Sequence, residues 1–505
     1  MTEEQNDSYG RLADRLAKNT DEARAEAVAK RRARGGRTAR ENLADLTDGA
    51  AVSEYGQLAV AAQRTRREGD SLYVDTAADA VITAVGPVNG DIFHAERSQT
   101  ALIINDYTVL AGTQGYFHHR KIDRILEVAE RDSLPIVMYT EGGGGRPGDT
   151  DVLVSMAGLN VPTFHRWAAL AGRVPRIAVN HGYCFAGNAA LFGAADVRIA
   201  SEASCIGMAG PAMIEGGGLG TWQPQDIGPV SVHRENGVVD IVVADEAEAT
   251  EVAKRVLACV QGSTTDWHAA DQSELDALMP INRRYAFDVR KIIRRLLDAE
   301  SFIETRPDAG RAVVTGFARV EGRAVAVLAS DCRHLGGAID GESATKATAL
   351  YQLAERWGLP VVSLIDTPGF MVGPDSEAAG APRLMSDLFI AGAALSQPIV
   401  AIFLRRAYGL GAMAMTGGSF GVPRYAASWP HGEFGAMGLE GAVHLGFRQE
   451  LAAAPDEEAR QALYDKLLTE MYDRGRAVEA ASYLEIDAVI QPGETRGVIS
   501  RALTG

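Results

Sequence analysis

Glycine-rich turns that directly follow apolar strands are the segments of this chain best suited to chemistry. One turn spans 182–187 (GYCFAG) and a second spans 407–411 (AYGLG). A strand–glycine–helix turn leaves main-chain N–H groups free at the start of the helix, and free N–H groups bind anions and oxyanions. Glycine and alanine are favoured where a ligand approaches the main chain closely. The two turns therefore predict oxyanion holes made of backbone amides.

The two turns belong to a long internal repeat. Lys121 recurs as Lys346, and Gly187 recurs as Gly411 at nearly the same spacing along the chain. A repeat of this length is a duplicated domain rather than a short solenoid unit. Two related domains predict two related pockets, and so a reaction with two bulky partners.

The elements that must position these turns are short apolar strands alternating with helices. This alternation predicts an α/β fold, and 505 residues fit two domains of roughly 200 residues with extensions. We predict four parts, listed in order: an N-terminal helical arm at 1–34, a first domain at 35–262, a helical linker at 263–310, and a second domain at 311–505.

Charge and cysteine content exclude several classes of function. The net charge of −16 argues against nucleic acid as a general partner, because phosphate contacts need a basic surface. The four cysteines form no CxxC pair, so we predict no metal site, and scattered thiols are typical of a reducing compartment. The N-terminus has no apolar leader and the most apolar stretch is too short for a membrane span, so we predict a cytoplasmic protein without a membrane partner.

Common catalytic signatures are missing from the sequence. It contains no GxxxxGK[ST] phosphate loop, no HExxH and no GxSxG. A basic run at 31–41 (RRARGGRTARE) has two interpretations. It is either the solvated start of a helix, as most charge runs are, or a site for an anionic ligand such as a phosphate.

Several motifs, taken in order, carry a family resemblance. They are 35–43 (GGRTARENL), 182–189 (GYCFAGNA), 366–373 (DTPGFMVG), 435–442 (GAMGLEGA) and 485–496 (EIDAVIQPGETR). From about residue 35 to the C-terminus the chain resembles the carboxyltransferase (beta) subunits of biotin-dependent acyl-CoA carboxylases, the propionyl-CoA and acetyl-CoA carboxylase type. Each motif alone is weak, but their order and spacing together are specific.

The resemblance implies a fold, a reaction and a set of partners. The fold would be two duplicated crotonase-like domains (ClpP/crotonase superfamily, ββα superhelix), the first on the acyl-CoA side and the second on the biotin side. The chain would transfer a carboxyl group from carboxybiotin, held on a separate carrier protein, to the α-carbon of a coenzyme A thioester. Its partners would be the acyl-CoA, a biotin carboxylase and the biotin carboxyl carrier, and it would form a homo-hexamer, a trimer of dimers.

The resemblance also assigns residues to the two holes. The first hole would use the N–H groups of Gly187 and Asn188, and the second those of Leu410 and Gly411. The residues assigned to ligand binding beside the holes are Ala186, Tyr408, Ala412 and Met413.

The chain departs from the family pattern at both holes. Asn188 replaces a glycine, and its side-chain amide has the reach to narrow the pocket or bond the acyl group. Met413 falls where typical members line the acyl pocket, so a propionyl-like specificity does not carry over. Two alternatives stay open: a decarboxylase or biotin-independent relative acting on a malonyl-type CoA, and an assembly subunit without turnover.

Overall fold

The computed structural model describes residues 3–152 and 159–504. The chain divides into two compact units, Met1–Gly262 and Ser263–Gly505. Each unit combines helices with a mixed sheet, which confirms the predicted α/β class. The residues predicted as a helical arm lie in the first unit, and those predicted as a linker lie in the second. No helix of the described residues is long and apolar enough to cross a membrane.

The first unit contains nine strands and eleven α-helices among its described residues. The strands are β1 Ser53–Tyr55, β2 Val81–Pro87, β3 Gln99–Asn105, β4 Ile136–Tyr139, β5 Arg176–Asn180, β6 Tyr183–Phe185, β7 Val197–Ser201, β8 Cys205–Gly207 and β9 Ile241–Val243. The helices are α1 Glu3–Ala17, α2 Ala25–Arg32, α3 Ala39–Leu46, α4 Gly69–Tyr73, α5 Ala95–Ser98, α6 Tyr116–Asp132, α7 Thr163–Ala169, α8 Gly187–Gly193, α9 Pro211–Gly216, α10 Val230–Glu235 and α11 Glu246–Gln261.

The second unit contains eight strands and ten α-helices among its described residues. The strands are β10 Ile303–Thr305, β11 Val313–Val320, β12 Arg323–Ser330, β13 Val361–Thr367, β14 Ile399–Tyr408, β15 Tyr425–Ser428, β16 Glu433–Gly435 and β17 Ala488–Val489. The helices are α12 Val289–Leu296, α13 Gly341–Trp357, α14 Pro374–Ala378, α15 Ala381–Ala394, α16 Gly409–Ala414, α17 Leu439–Gly446, α18 Arg448–Ala452, α19 Glu457–Arg474, α20 Ala477–Ser482 and α21 Thr495–Thr504.

The two sheets have the same topology. The first runs β1-β2-β3-β4-β5-β7-β9 and the second β10-β11-β12-β13-β14-β15-β17. In each, the first three strands pair antiparallel and the rest pair parallel. Helices α6 and α13 both have 17 residues, and each follows the third strand of its sheet. The carboxyl ends of parallel strands share one edge of a sheet, so both glycine turns lie at that edge of their own unit.

Each unit has its own apolar core against the sheet. Fully buried Trp167 packs in the first core and fully buried Trp429 in the second. Both indole N–H groups are satisfied, because Trp167 donates to the Leu191 carbonyl (2.8 Å) and Trp429 to the Thr495 hydroxyl (2.8 Å). Truncation of such a side chain to alanine typically lowers the free energy of unfolding by about 3–5 kcal/mol. The two cores therefore stabilise the sheets that carry the glycine turns.

A buried lysine is repeated with the sheets. Lys121 of α6 and Lys346 of α13 each donate to two main-chain carbonyls, those of Ala78 and Val81 in the first unit and of Arg306 and Val313 in the second. Burial lowers the pKa of Lys121 to about 8 and that of Lys346 to about 7. The two ammonium groups therefore tie the turn before β2 and the turn before β11 to a helix.

We expect the stability of the second unit to rise with pH because of Lys346. Between pH 7 and the ordinary lysine value of 10.5, the folded state binds fewer protons than the unfolded state, so unfolding becomes less favourable as pH rises. The Lys346→Met variant lacks this titrating group. Its melting temperature, measured from pH 6 to 10, should therefore fall progressively below that of the wild type as pH increases. Lys466→Met on the exposed face of α19 is the control; parallel curves for wild type and Lys346→Met would contradict the expectation.

Candidate active site

The first glycine turn is built on a strained residue. Strand β6 ends at Phe185, and Ala186 then adopts φ 52° and ψ −118° before α8 begins at Gly187. A positive φ is unusual for a residue with a side chain. The turn is held because the Ala186 N–H donates to the Gly207 carbonyl of β8 (2.9 Å). This kink takes the chain directly from β6 into the first turn of α8.

The donors of the first turn are free in the described structure. Neither the N–H of Gly187 nor that of Asn188 donates to another described residue, as expected of the first turn of a helix. A methyl group on Gly187 would lie 2.1 Å from Gln114 Oε1 and 3.1 Å from Phe164 Cζ. A side chain at this position would therefore have to displace the end of the Gln114 side chain.

The Asn188 side chain does not line a pocket. It is fully buried; its Nδ2 donates to the Thr140 carbonyl (3.1 Å), and its Oδ1 accepts from the Gly144 N–H (3.1 Å). The amide thus ties α8 to the glycine loop at 141–145. The interpretation that this amide narrows the pocket or bonds the acyl group was wrong, because both ends of the amide are already engaged with the main chain.

Gln114 is a residue of this site that the sequence did not single out. It is buried against Gly187, and its Nε2 has no hydrogen-bond partner among the described residues. Its equivalent in the second unit, at the same place before α13, is the fully buried Ile339. A buried hydrogen-bond donor without a partner lowers the stability of the fold by about 1–3 kcal/mol. The Gln114 amide in the first unit and the aliphatic Ile339 in the second therefore make the two holes chemically different. This contrast between Gln114 and Ile339 is the sequence signal that could have identified Gln114 as a site residue.

The second turn has the same form. Strand β14 ends at Tyr408, and α16 begins at Gly409, which has φ 58°. Leu410 is 60% exposed and Gly411 is buried. In the described structure neither of their N–H groups donates to another residue. The structure thus places two free N–H donors at the equivalent point of each unit.

The residues with a positive φ show which positions of the two units correspond to one another at the holes. Ala186 and Gly409 both have a positive φ, and each is the first residue after its strand. Gly187 is therefore equivalent to Leu410, and Asn188 to Gly411, rather than Gly187 to Gly411. Asn188 accordingly stands where the second unit has a buried glycine.

Met413 is the most accessible of the residues predicted to bind ligand beside the second hole. It is half-buried and lines a cleft of about 570 Å³ together with Phe420 and Phe434. Its neighbour Ala412 is fully buried within α16 and faces no open space. An apolar group bound in this cleft would therefore meet the Met413 side chain rather than Ala412.

The other two residues predicted to bind ligand also differ in access. Tyr408 is buried and donates its hydroxyl to Glu433 (2.9 Å). Burial and the adjacent Glu433 carboxylate raise the pKa of the Tyr408 phenol. Ala186, beside the first hole, is half-buried. The Tyr408 hydroxyl is thus already engaged, whereas Ala186 leaves part of its surface open next to the free donors.

The basic run is mostly internal. Arg31 forms a forked pair with Glu141 (2.7 and 2.5 Å) and also contacts Glu246 (3.3 Å), with all three side chains less than a tenth exposed. Burial nevertheless raises the pKa of Glu141 to about 7. Arg32, Arg37 and Arg40 pair in turn with Glu41, Asp45 and Glu54. The interpretation as a solvated helix start does not describe Arg31, which links the arm to the glycine loop at Glu141.

One part of the basic run faces a cavity. Arg34 of the run lines a space of about 340 Å³ together with Tyr107, Tyr183 and Lys30, the residue just before the run. Arg34 is exposed, and its guanidinium forms no ion pair or hydrogen bond with a described residue. Tyr183 belongs to β6, so this cavity leads along β6 toward the first hole. The interpretation of the run as a phosphate site stays a prediction, and Arg34 has the position and the unpaired guanidinium for it.

Comparison with known proteins shows which family the chain belongs to. A family profile described as "Carboxyl transferase domain" matches residues 30–504. The biotin-dependent acetyl-/propionyl-coenzyme A carboxylase beta6 subunit of Mycobacterium tuberculosis is 32% identical over 84% of this chain and 88% of its own.

Two solved structures are similar to this chain. The structure of a single-chain, multi-domain long-chain acyl-CoA carboxylase has a TM-score of 0.92 at 48% identity, over 98% of this chain and 48% of that chain, so this chain spans about half of that protein. The transcarboxylase 12S hexamer with methylmalonyl-CoA bound has a TM-score of 0.85 at 25% identity, over 100% of this chain and 95% of its own. The resemblance inferred from the motifs is confirmed: the chain belongs to the carboxyl transferase domain family and is an enzyme of the acyl-CoA carboxylase carboxyltransferase type.

Proposed function

We propose that this enzyme moves a carboxyl group from carboxybiotin, carried on a separate protein, to the α-carbon of an acyl-CoA. The observation that carries the proposal is the pair of free N–H donors repeated at the same edge of both units. Family membership supports it, as does the biotin-dependent activity in the name of the mycobacterial relative.

Each hole serves one of the two anions of this reaction. Carboxybiotin would supply CO2 and a ureido anion; the anion would take the α-proton of the thioester, and the α-carbon of the resulting enolate would bond to CO2. The N–H groups of Gly187 and Asn188 donate to the thioester oxygen as the enolate forms, and those of Leu410 and Gly411 donate to the ureido oxygen. Because the donors are fixed main chain, they need no reorganisation, and removal of one such donor typically costs about 100-fold or more in rate.

The coenzyme A end of the substrate belongs in the cavity of the first unit. Lys30 and Arg34 provide cationic donors for phosphates, and Tyr107 and Tyr183 provide aromatic walls. Since Tyr183 lies on β6, a ligand anchored there extends toward Gly187.

The acyl group is the part of the substrate least fixed by the site. Met413, Phe420 and Phe434 give the cleft beside α16 an apolar wall, and the 48% identical relative is named for long-chain acyl-CoA. We therefore propose a long acyl chain rather than propionyl.

The finer architecture follows from the same proposal. The repeated sheets support two duplicated crotonase-like domains, and the second includes residues predicted as a linker, because β10 is the first strand of its sheet. The hexamer named for the 12S relative supports a homo-hexamer, with a biotin carboxylase and a biotin carrier as further partners. The cytoplasmic location stays a prediction.

A two-part assay tests the proposal. The chain is first mixed with a purified biotin carboxylase, a biotinylated carrier, ATP and bicarbonate, and acyl-CoAs from acetyl to palmitoyl are screened for carboxylation. The chain alone is then given the carboxylated acyl-CoAs. We expect carboxylation in the first part, with the highest kcat/KM for long chains. Turnover in the second part only would favour the decarboxylase alternative, and no turnover in either would favour the assembly subunit.

A further inference from the structure

The second unit has a basic cavity of its own. It measures about 330 Å³ and lies at the carboxyl ends of β12, β13 and β14. Its lining includes two glutamates, Glu433 and Glu440, and four arginines, Arg283, Arg284, Arg405 and Arg406. In a chain with a net charge of −16, four arginines around one small cavity are a local exception. The mechanism proposed above does not use them.

Three of these arginines are already paired with carboxylates. Arg405 and Arg406 share the fully buried Asp366 (2.7 and 2.8 Å). Arg283 pairs with Glu433 (3.1 Å) and stacks on the Tyr472 ring at 3.5 Å. The fourth, Arg284, is exposed, and its guanidinium has no ion pair or hydrogen bond with a described residue. Among the described residues that line the cavity, Arg284 therefore offers an unpaired guanidinium beside three arginines that are held by carboxylates.

Arg284 is the repeat of Arg34. Each lies four residues before the N-cap of an eight-residue helix, which is Thr38 for α3 and Asp288 for α12. The repeat extends beyond the cap: Arg40 pairs with Glu54 (2.7 Å), and Arg290 makes the same contact with Glu304, at the same sequence separation. Both units thus place one unpaired arginine over the cavity at the carboxyl ends of their strands.

The surroundings of Arg284 indicate a protein ligand. Ile281 is fully exposed and Tyr285 is 65% exposed, both within four residues of it. Arginine and tyrosine are enriched in the buried centres of protein interfaces. The cavity also lies near the second hole, because Tyr408 lines the cavity and directly precedes Gly409.

We infer that this cavity binds a carboxylate side chain of the biotinylated carrier protein, close to its biotinyl-lysine. The inference rests on the proposed function, in which the second hole receives biotin. The arginine fork binds a carboxylate through two parallel hydrogen bonds, so one acidic side chain satisfies the one free guanidinium. An acidic residue beside the biotinyl-lysine is thereby seated while the biotin reaches past Tyr408 to Leu410 and Gly411.

The reverse reaction tests this without the natural carrier. A carboxylated acyl-CoA is the donor, and the acceptors are two synthetic biotinyl-lysine peptides, one flanked by glutamates and one by lysines. The Cα–carboxyl bond breaks, an N–C bond forms on the biotin ring, and the ureido proton moves to Cα. We expect the wild type to use the glutamate peptide with a KM about tenfold lower, and this preference to weaken with added salt.

Charge reversal at the two repeated arginines separates the carrier site from the coenzyme A site. Arg284→Glu should remove or invert the peptide preference, and Arg284→Lys should keep part of it. Arg34→Glu should raise the KM of the acyl-CoA and leave the ratio between the two peptides unchanged. Melting temperatures of all three variants show that they fold.

Several results would overturn the inference. Equal KM values for the two peptides in the wild type would do so, as would a preference that survives Arg284→Glu. Competition by free CoA that disappears in Arg284→Glu would assign the cavity to phosphate instead. Failure of every biotin acceptor, free biotin included, would remove the proposed function itself and the inference with it.

Discussion

Replacement of Gly411 by alanine should abolish carboxyl transfer. A methyl group at this position would lie 2.6 Å from the carbonyl carbon of Gly369 and 2.8 Å from the main-chain nitrogen of Phe370. These neighbours are main chain following β13, so they cannot rotate away as a side chain can. Either α16 or the loop must move, and the free N–H groups of Leu410 and Gly411 then no longer point at a common position.

The expected loss is in rate first and in stability second. Misplacing both donors of one hole should lower kcat by at least about 100-fold. Overpacking should cost about 1–3 kcal/mol, so the melting temperature falls while the variant still folds. Gly441→Ala is the matched control, because its methyl group would meet only Met437 Cε at 3.9 Å. Near wild-type transfer by Gly411→Ala would remove the second hole from the mechanism.

The first hole should respond differently to the same change. A methyl group on Gly187 meets the end of the Gln114 side chain, which is flexible, rather than main chain. Gly187→Ala is therefore expected to keep its stability more fully than Gly411→Ala. Melting temperatures of the two variants measure this difference, and an equal loss in both would contradict it.

The repeat made much of the fold predictable. Apolar runs at 101–105, 136–139, 176–180 and 197–200 fall within β3, β4, β5 and β7, because buried parallel strands need continuous apolar side chains. The short strands β6, β8 and β16 were not predicted, because strands this short show no periodic pattern of apolar residues. The repeat of α3 and β1 in α12 and β10 was also missed, because these elements recur at a wider spacing than the later ones.

The candidate site was predictable only where it is main chain. Glycine turns after strands leave a recognisable pattern, so both turns were located from the residues, and the family resemblance then assigned the N–H donors within them. Side-chain direction has no such pattern. The sequence did not reveal that the Asn188 amide turns back to Thr140 and Gly144, or that Gln114 contacts Gly187. Arg284 looked like one more charge in a polar segment until the structure placed it in register with Arg34.

Removal of Arg31 should produce the largest loss of stability. Arg31→Met leaves the carboxylates of Glu141 and Glu246 buried beside one another without their shared cation. Breaking a buried ion pair in this way typically costs about 3–5 kcal/mol. The glycine loop at 141–145 should loosen as well, because Glu141 is its first residue.

The loss should depend on pH in a defined direction. Glu141 has a pKa of about 7 when folded, above its ordinary value of 4.5, so it is largely neutral at pH 5 and ionised at pH 8. Without Arg31 the ionised form is disfavoured further, and the stability deficit of Arg31→Met should deepen as pH rises through 7. Urea unfolding at pH 5 and pH 8 measures this difference.

Arg34→Met, which removes an exposed and unpaired arginine from the same basic run, should instead keep its stability at both pH values and raise the KM of the acyl-CoA. Equal stability of Arg31→Met and Arg34→Met would show that Arg31 does not anchor the arm to the site.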